Sequence, residues 1–170
     1  VADRSESTPA RNATGVKWSI IAVGRVKEPF YRQAIAEYLG RLGHSRQVTE
    51  IEVAEEKLLA GRETMASHRE AAKLLAACKD ATRIALTERG DRVTTVQLAS
   101  RLERLEAQGN SHLAFVLGGP QGLDPDFVQG CSWELSLSPL TFPYQLARLV
   151  LVEQLYRCET LRRNEPYHKA

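Results

Sequence analysis

The chain has 170 residues, the length of one domain, and its 43% hydrophobic and 26% charged residues are close to globular averages. The formal net charge is +2, too small to hold nucleic acid by charge alone. An RNA partner would have to be met through a local basic patch or an already folded shape.

Cys78, Cys131 and Cys158 are far apart, odd in number and form no C-x-x-C pair, which argues against a disulfide framework and a structural zinc site. The four histidines, His44, His68, His112 and His168, show no metal-ligand spacing, so no metal is expected; His44 and His68 read as solvated. Apolar runs such as residues 149–152 are far too short to span a bilayer. Residues 1–16 are polar, with Ser5, Ser7, Thr8, Pro9 and Asn12, and lack the apolar stretch of a secretory signal. They read as a flexible tail before a single domain of residues 17–170, in a protein placed in the cytoplasm.

In chain order, residues 17–23 read as a first, mostly buried strand ending at Gly24. Pro29 opens a helix on which Phe30, Ala34, Tyr38 and Leu42 recur at i+4 as one apolar stripe. Residues 47–53 alternate as a second strand, and residues 63–79 are rich in helix formers. Residues 83–87 form a short strand, followed by a turn at residues 88–91. A helix over residues 95–107 follows, with Leu98, Leu102 and Leu105 on one face. Residues 112–117 are a buried strand, residues 124–126 begin a short helix, and residues 133–138 form a last strand. The final helix covers residues 144–163, where Leu146, Leu149, Val150 and Glu153 share a face that Arg157 continues. Strands alternating with helices imply an α/β domain whose mostly parallel sheet carries helices on both faces.

Gly118-Gly119-Pro120-Gln121-Gly122 follows a strand end, where open α/β sheets bind ligands. Its spacing matches neither common phosphate loop, and an ordinary tight turn explains it as well. Leu137-Ser138-Pro139-Leu140-Thr141-Phe142-Pro143 is less ordinary, because an apolar loop must be covered by chain, partner subunit or a flat apolar ligand. Glu153 and Arg157 stand i, i+4 in the last helix: either a structural ion pair, or an arginine fork for a phosphate or substrate oxygen that Glu153 orients. Tyr167 and His168 close the chain with an aromatic face and an imidazole.

Three segments in this order resemble one family: residues 115–123, residues 135–143, and the helix and tail with Arg148-Leu149-Val150-Leu151, Glu153-Gln154-Leu155-Tyr156-Arg157 and Pro166-Tyr167-His168-Lys169. The family is that of the ribosomal RNA large-subunit methyltransferase H enzymes, small members of the SPOUT class. The resemblance implies a C-terminal trefoil knot and a homodimer, with S-adenosylmethionine as cofactor. It also implies methyl transfer to N3 of a pseudouridine in 23S rRNA of the assembled ribosome. Carried over by position, the cofactor residues are Leu86, Gly118, Gly119, Leu137, Ser138, Pro139, Leu140, Thr141 and Phe142. The catalytic residues are Glu153, Arg157, Tyr167 and His168, with Lys169 in place of a terminal arginine. Tyr144 stands where the family often has histidine, which leaves the general base open between Tyr144 and His168. The alternatives are a knotted methyltransferase with another RNA target, a non-catalytic ribosome-associated factor, and a nucleotide-dependent oxidoreductase. The last is weakened by the absence of G-x-G-x-x-G.

Overall fold

Side chains alternate across the central strands, and that alternation divides the interior into two cores. A computed structural model describes residues 15–169, without the side chains of residues 168 and 169. The strands are β1 (Lys17–Val23), β2 (Val48–Val53), β3 (Thr82–Arg92), β4 (His112–Leu117) and β5 (Trp133–Ser136). The helices are α1 (Pro29–Gly43), α2 (Glu63–Cys78), α3 (Thr95–Ala107), α4 (Pro125–Gln129) and α5 (Tyr144–Arg162), and a short 3-10 turn covers Pro166–Lys169. The sheet runs β2-β1-β4-β3-β5 with every pair parallel.

On β1, Trp18, Ile20 and Ala22 face one side while Ile21 and Val23 face the other; on β4, Leu113, Phe115 and Leu117 oppose Ala114 and Val116. The first side is covered by α1, α3 and α5 through Ile35, Leu42, Leu102, Leu151 and Leu155, and the second by α2 and α4 through Leu74 and Phe127. Strands buried on both faces explain why β1 and β4 read as nearly continuous apolar runs. Each fully buried leucine or phenylalanine contributes about 1.5–3 kcal/mol. The expected α/β architecture, with a parallel sheet covered on both faces, is therefore present. Among the described residues no helix is long and apolar enough to cross a membrane.

Local signals set the ends. Thr94 and Gln97 form a capping box on α3, and Asp124 caps α4 by accepting from the amides of Asp126 and Phe127. The second Asp124 oxygen lies 3.1 Å from Ser67 Oγ and 2.9 Å from His68 Nδ1. His68 is exposed, as expected, while its ring reaches from α2 to the cap of α4.

Three expectations are corrected. The turn expected at residues 88–91 is part of β3, because Leu135 pairs with Leu86 and again with Asp91. The second half of β3 is clasped against β5: Asp91 Oδ2 accepts from Trp133 Nε1 at 2.8 Å and from Arg101 at 3.0 Å. A side chain at Gly90 would put its first carbon 2.6 Å from the Glu134 carbonyl carbon, so this approach requires glycine. β5 stops at Ser136, two residues early, where the Ser136 hydroxyl reaches the carbonyls of Glu88 and Ser138.

The third correction concerns both apolar stripes. On α1, Ile35 and Leu42 enter the core, whereas Phe30 is 63% exposed and Ala34 and Tyr38 are half-buried. On α5, Leu151, Val152, Leu155 and Cys158 are buried, while Leu146, Leu149, Val150 and Glu153 are half-buried. Residues 149–152 are apolar at every position, so periodicity could not choose the inward face. The helices α1 and α5 pack on each other, with Tyr38 and Leu149 lying partly buried against the core and Phe30 left exposed.

Candidate functional site

Parallel pairing brings the carboxyl ends of the strands to one sheet edge. Leu86 is in register with Leu117 on one neighbour and with Leu135 on the other. Leu86, the glycine loop after Leu117 and the apolar loop after Ser136 are therefore adjacent. Leu86 lies within β3, at the shift in register.

The glycine loop is a tight turn, in which the amide of Gly122 donates to the Gly119 carbonyl at 2.9 Å and Gly122 has φ +76°. A side chain at Gly118 would begin 2.4 Å from the Gly122 carbonyl carbon, and one at Gly119 would begin 3.1 Å from Val23 Cγ1. Close backbone packing thus fixes this loop against the end of β1. The apolar loop is open. Leu140 is 69% exposed, Pro139 and Thr141 are exposed, and Leu137, Ser138 and Phe142 are half-buried. The Ser138 hydroxyl accepts from the Leu140 amide at 3.0 Å and holds the loop's shape. Leu137, Ser138, Pro139, Leu140, Thr141 and Phe142 together present an apolar wall beside a glycine turn.

A second centre lies on α5. Glu153 Oε1 accepts from Arg157 Nε at 2.9 Å, from Arg157 NH2 at 2.7 Å, and from the Tyr167 hydroxyl at 3.1 Å. The guanidinium stands 4.7 Å over the Tyr167 ring. The Tyr167 hydroxyl also lies 3.3 Å from that of Tyr38, and its ring packs 4.7 Å from Tyr156. Burial, with the hydrogen bonds to Tyr38 and Glu153, raises the Tyr167 pKa above its ordinary value, so the phenol keeps its proton at neutral pH. The hydrogen bond to Glu153 raises the Arg157 pKa, fixing its positive charge.

Glu153, Arg157 and Tyr167 are thus brought together; the side chain of His168 lies outside the described residues. Tyr38 and Tyr156 belong to the same cluster and were missed. Tyr38 had been placed in a core stripe, and nothing local links it to residue 167.

The two centres are separate within one chain. Glu153 stands ten residues after Pro143, about 15 Å along the helix axis. Tyr144 belongs to the sheet-edge centre: its hydroxyl lies 3.4 Å from the Arg25 carbonyl.

The family model described as "Predicted SPOUT methyltransferase" matches residues 16–168. The chain is 42% identical over 156 residues to the ribosomal RNA large subunit methyltransferase H of Exiguobacterium sp. (strain ATCC BAA-1283 / AT1b), covering 89% of this chain and 98% of the relative. It is 40% identical over 159 residues to the protein of the same name from Bifidobacterium adolescentis, covering 91% of this chain and all of the relative. Among solved structures, the tRNA (m1G37) methyltransferase of Aquifex aeolicus superposes with a TM-score of 0.52 at 9% identity, over 84% of this chain and 69% of that one. A methylase-family protein of Neisseria gonorrhoeae gives 0.52 at 17% identity, over 88% and 85%. These structural likenesses carry the fold. The family match along nearly all of the described chain, with relatives 40–42% identical over nearly their whole length, establishes that it belongs to the SPOUT methyltransferases, in the ribosomal RNA large-subunit methyltransferase H family.

Proposed function

We propose that the chain transfers a methyl group from S-adenosylmethionine to N3 of a pseudouridine in 23S rRNA of the assembled ribosome, and that it works in the cytoplasm as a homodimer. The observation that carries this reading is the meeting of Leu86, the glycine turn and the open apolar loop at one sheet edge, in a chain 40% identical to a relative of that name. The apolar wall of residues 137–142 fits a flat adenine, and Gly118 and Gly119 let backbone come close to it. When bound, S-adenosylmethionine supplies an activated sulfonium methyl.

The chain's own groups then have to hold the base in line and manage its N3 proton. Alignment of two bound reactants supplies roughly 7–11 kcal/mol in favourable systems. Arg157, held by Glu153, faces the negative charge that develops on the base as the proton leaves. Tyr167, which keeps its proton, positions Glu153 and Arg157 through its hydroxyl and its ring. A general base, Tyr144 or His168 by the family resemblance, would take the proton, a role worth about 10²–10⁴-fold.

Two features support the homodimer reading. Phe30 on α1 is exposed, and Ala34 on α1 and Leu146 and Val150 on α5 are only half-buried in the single chain. Apolar patches of this kind mark interfaces. The distance of about 15 Å between the loop and Glu153 along α5 is bridged if one subunit's apolar loop meets its partner's Glu153–Arg157–Tyr167 cluster. The match to the SPOUT family supports a trefoil knot in the C-terminal segment.

The test is tritiated methyl transfer to assembled ribosomes, free large subunits and naked rRNA. Incorporation into assembled ribosomes alone is expected. No incorporation into any of the three, with ribosome binding retained, would instead identify a non-catalytic factor.

A further inference from the structure

Arg148 is fully buried in the second turn of α5 and has no part in the proposed chemistry. Its NH1 donates to Glu52 Oε1 at 2.7 Å and to Glu50 Oε1 at 3.2 Å, and its NH2 donates to the Gly24 carbonyl at 2.8 Å. Its Nε has no partner. A buried charge held this way is weak evidence for stability, since desolvation offsets most of the attraction. What it does geometrically is clearer. Gly24–Glu28 is the connection leaving β1, and the start of α5 grips it at several points. Glu52 Oε1, held by Arg148, also accepts from the Val26 amide at 3.0 Å. Gln145 Oε1 accepts from the amides of Lys27 at 2.6 Å and Glu28 at 3.1 Å. Gly24 has φ +84° and lies under the Tyr144 ring, 3.6 Å from where its Cβ would stand.

The residue before Gly24 is Val23, which packs against Gly119. The residue before Tyr144 is Pro143, the last of the apolar loop. An unbroken chain of contacts therefore runs from the apolar loop through α5, Arg148, Gly24 and Val23 to the glycine turn. We infer that Arg148 is a positioning residue: by tying Gly24 and β2 to α5, it sets the separation of the apolar loop and the glycine turn, and hence the affinity for the methyl donor. This rests on the functional reading above, in which those loops hold S-adenosylmethionine.

The experiment is calorimetric titration of the full chain with S-adenosylmethionine, paired with steady-state methyl transfer. In Arg148→Lys the affinity falls roughly tenfold or more and KM for the methyl donor rises in step, as expected when two walls of a site lose their spacing. The kcat at saturating donor stays within about threefold. Leu102→Val, which loosens the same core far from the loops, serves as the structural control. It lowers the melting temperature without moving donor affinity. If Arg148→Lys fails to fold, Glu52→Gln decides, because it weakens the grip and leaves Arg148 and Glu50 charged; a several-fold loss of affinity is expected. Unchanged affinity in the folded variants, or a loss no larger than that of Leu102→Val, overturns the inference alone. No binding by the unaltered chain overturns the functional reading as well.

Discussion

The Tyr167 hydroxyl donates to Glu153 Oε1 at 3.1 Å, so the last turn of the chain is fastened to the carboxylate that also holds Arg157. Removing this bond in Tyr167→Phe keeps the ring under Arg157 and removes one donor. A loss of about 0.5–1.5 kcal/mol in transition-state stabilisation is expected, roughly three- to tenfold in kcat. Glu153→Gln leaves the guanidinium without its counter-charge and should lose more. Single-turnover rates on ribosomes check both.

Tyr167 also sets a pH expectation. Its folded pKa lies above the unfolded value of about 10, so folding favours the protonated phenol. The stabilisation is complete below about pH 10 and is lost as pH rises through the folded pKa, because there the native state binds more protons than the unfolded one. Urea unfolding between pH 8 and 11 should show a steeper alkaline decline in the unaltered chain than in Tyr167→Phe. By the same sign, Tyr167→Phe should leave the pH–rate profile near neutrality unmoved, whereas His168→Ala should flatten it.

The glycine turn makes a stability prediction. Gly118→Ala would drive a methyl into the Gly122 backbone, which cannot swing aside as a side chain could. A cost of about 1–3 kcal/mol is expected, read as a lower urea midpoint at unchanged slope. Gly90→Ala, pressed against the Glu134 backbone, should behave alike.

The outer stripes make an assembly prediction. Phe30 is 63% exposed in the single chain, so Phe30→Glu should cost the protomer little. If a second copy covers this face, the variant sediments as a weaker dimer and loses methyl transfer. A mixed dimer of one Gly119→Trp subunit and one Arg157→Ala subunit should regain one working site.

Much of this fold was legible along the chain because its signals are local. The bounds of α3 and β4 follow from the Thr94–Gln97 box and from an apolar run ended by glycine. The rest depends on residues distant in sequence. The extension of β3 to Arg92 needs β5, some 45 residues on, and no property of residues 88–91 announces it. On α5, continuous apolar residues hid which face turns inward, so a half-exposed stripe was read as core. Arg148 was read only as part of the third family segment, and its burial was not foreseen, because its partners Gly24, Glu50 and Glu52 are about 100 or more residues away. The candidate site could be proposed from motifs at Gly118, Gly119, residues 137–142, Glu153, Arg157 and Tyr167, whereas Tyr38 and Tyr156 join the Tyr167 cluster only in space.

The most direct test of the central claim is nucleotide-resolved mass spectrometry of 23S rRNA after assembled ribosomes are incubated with the chain and deuteromethyl S-adenosylmethionine. The account predicts one labelled nucleotide, a pseudouridine methylated at N3, and none when Arg157 is replaced by alanine. Label on another nucleotide or on tRNA, or unchanged labelling by Arg157→Ala, would contradict it.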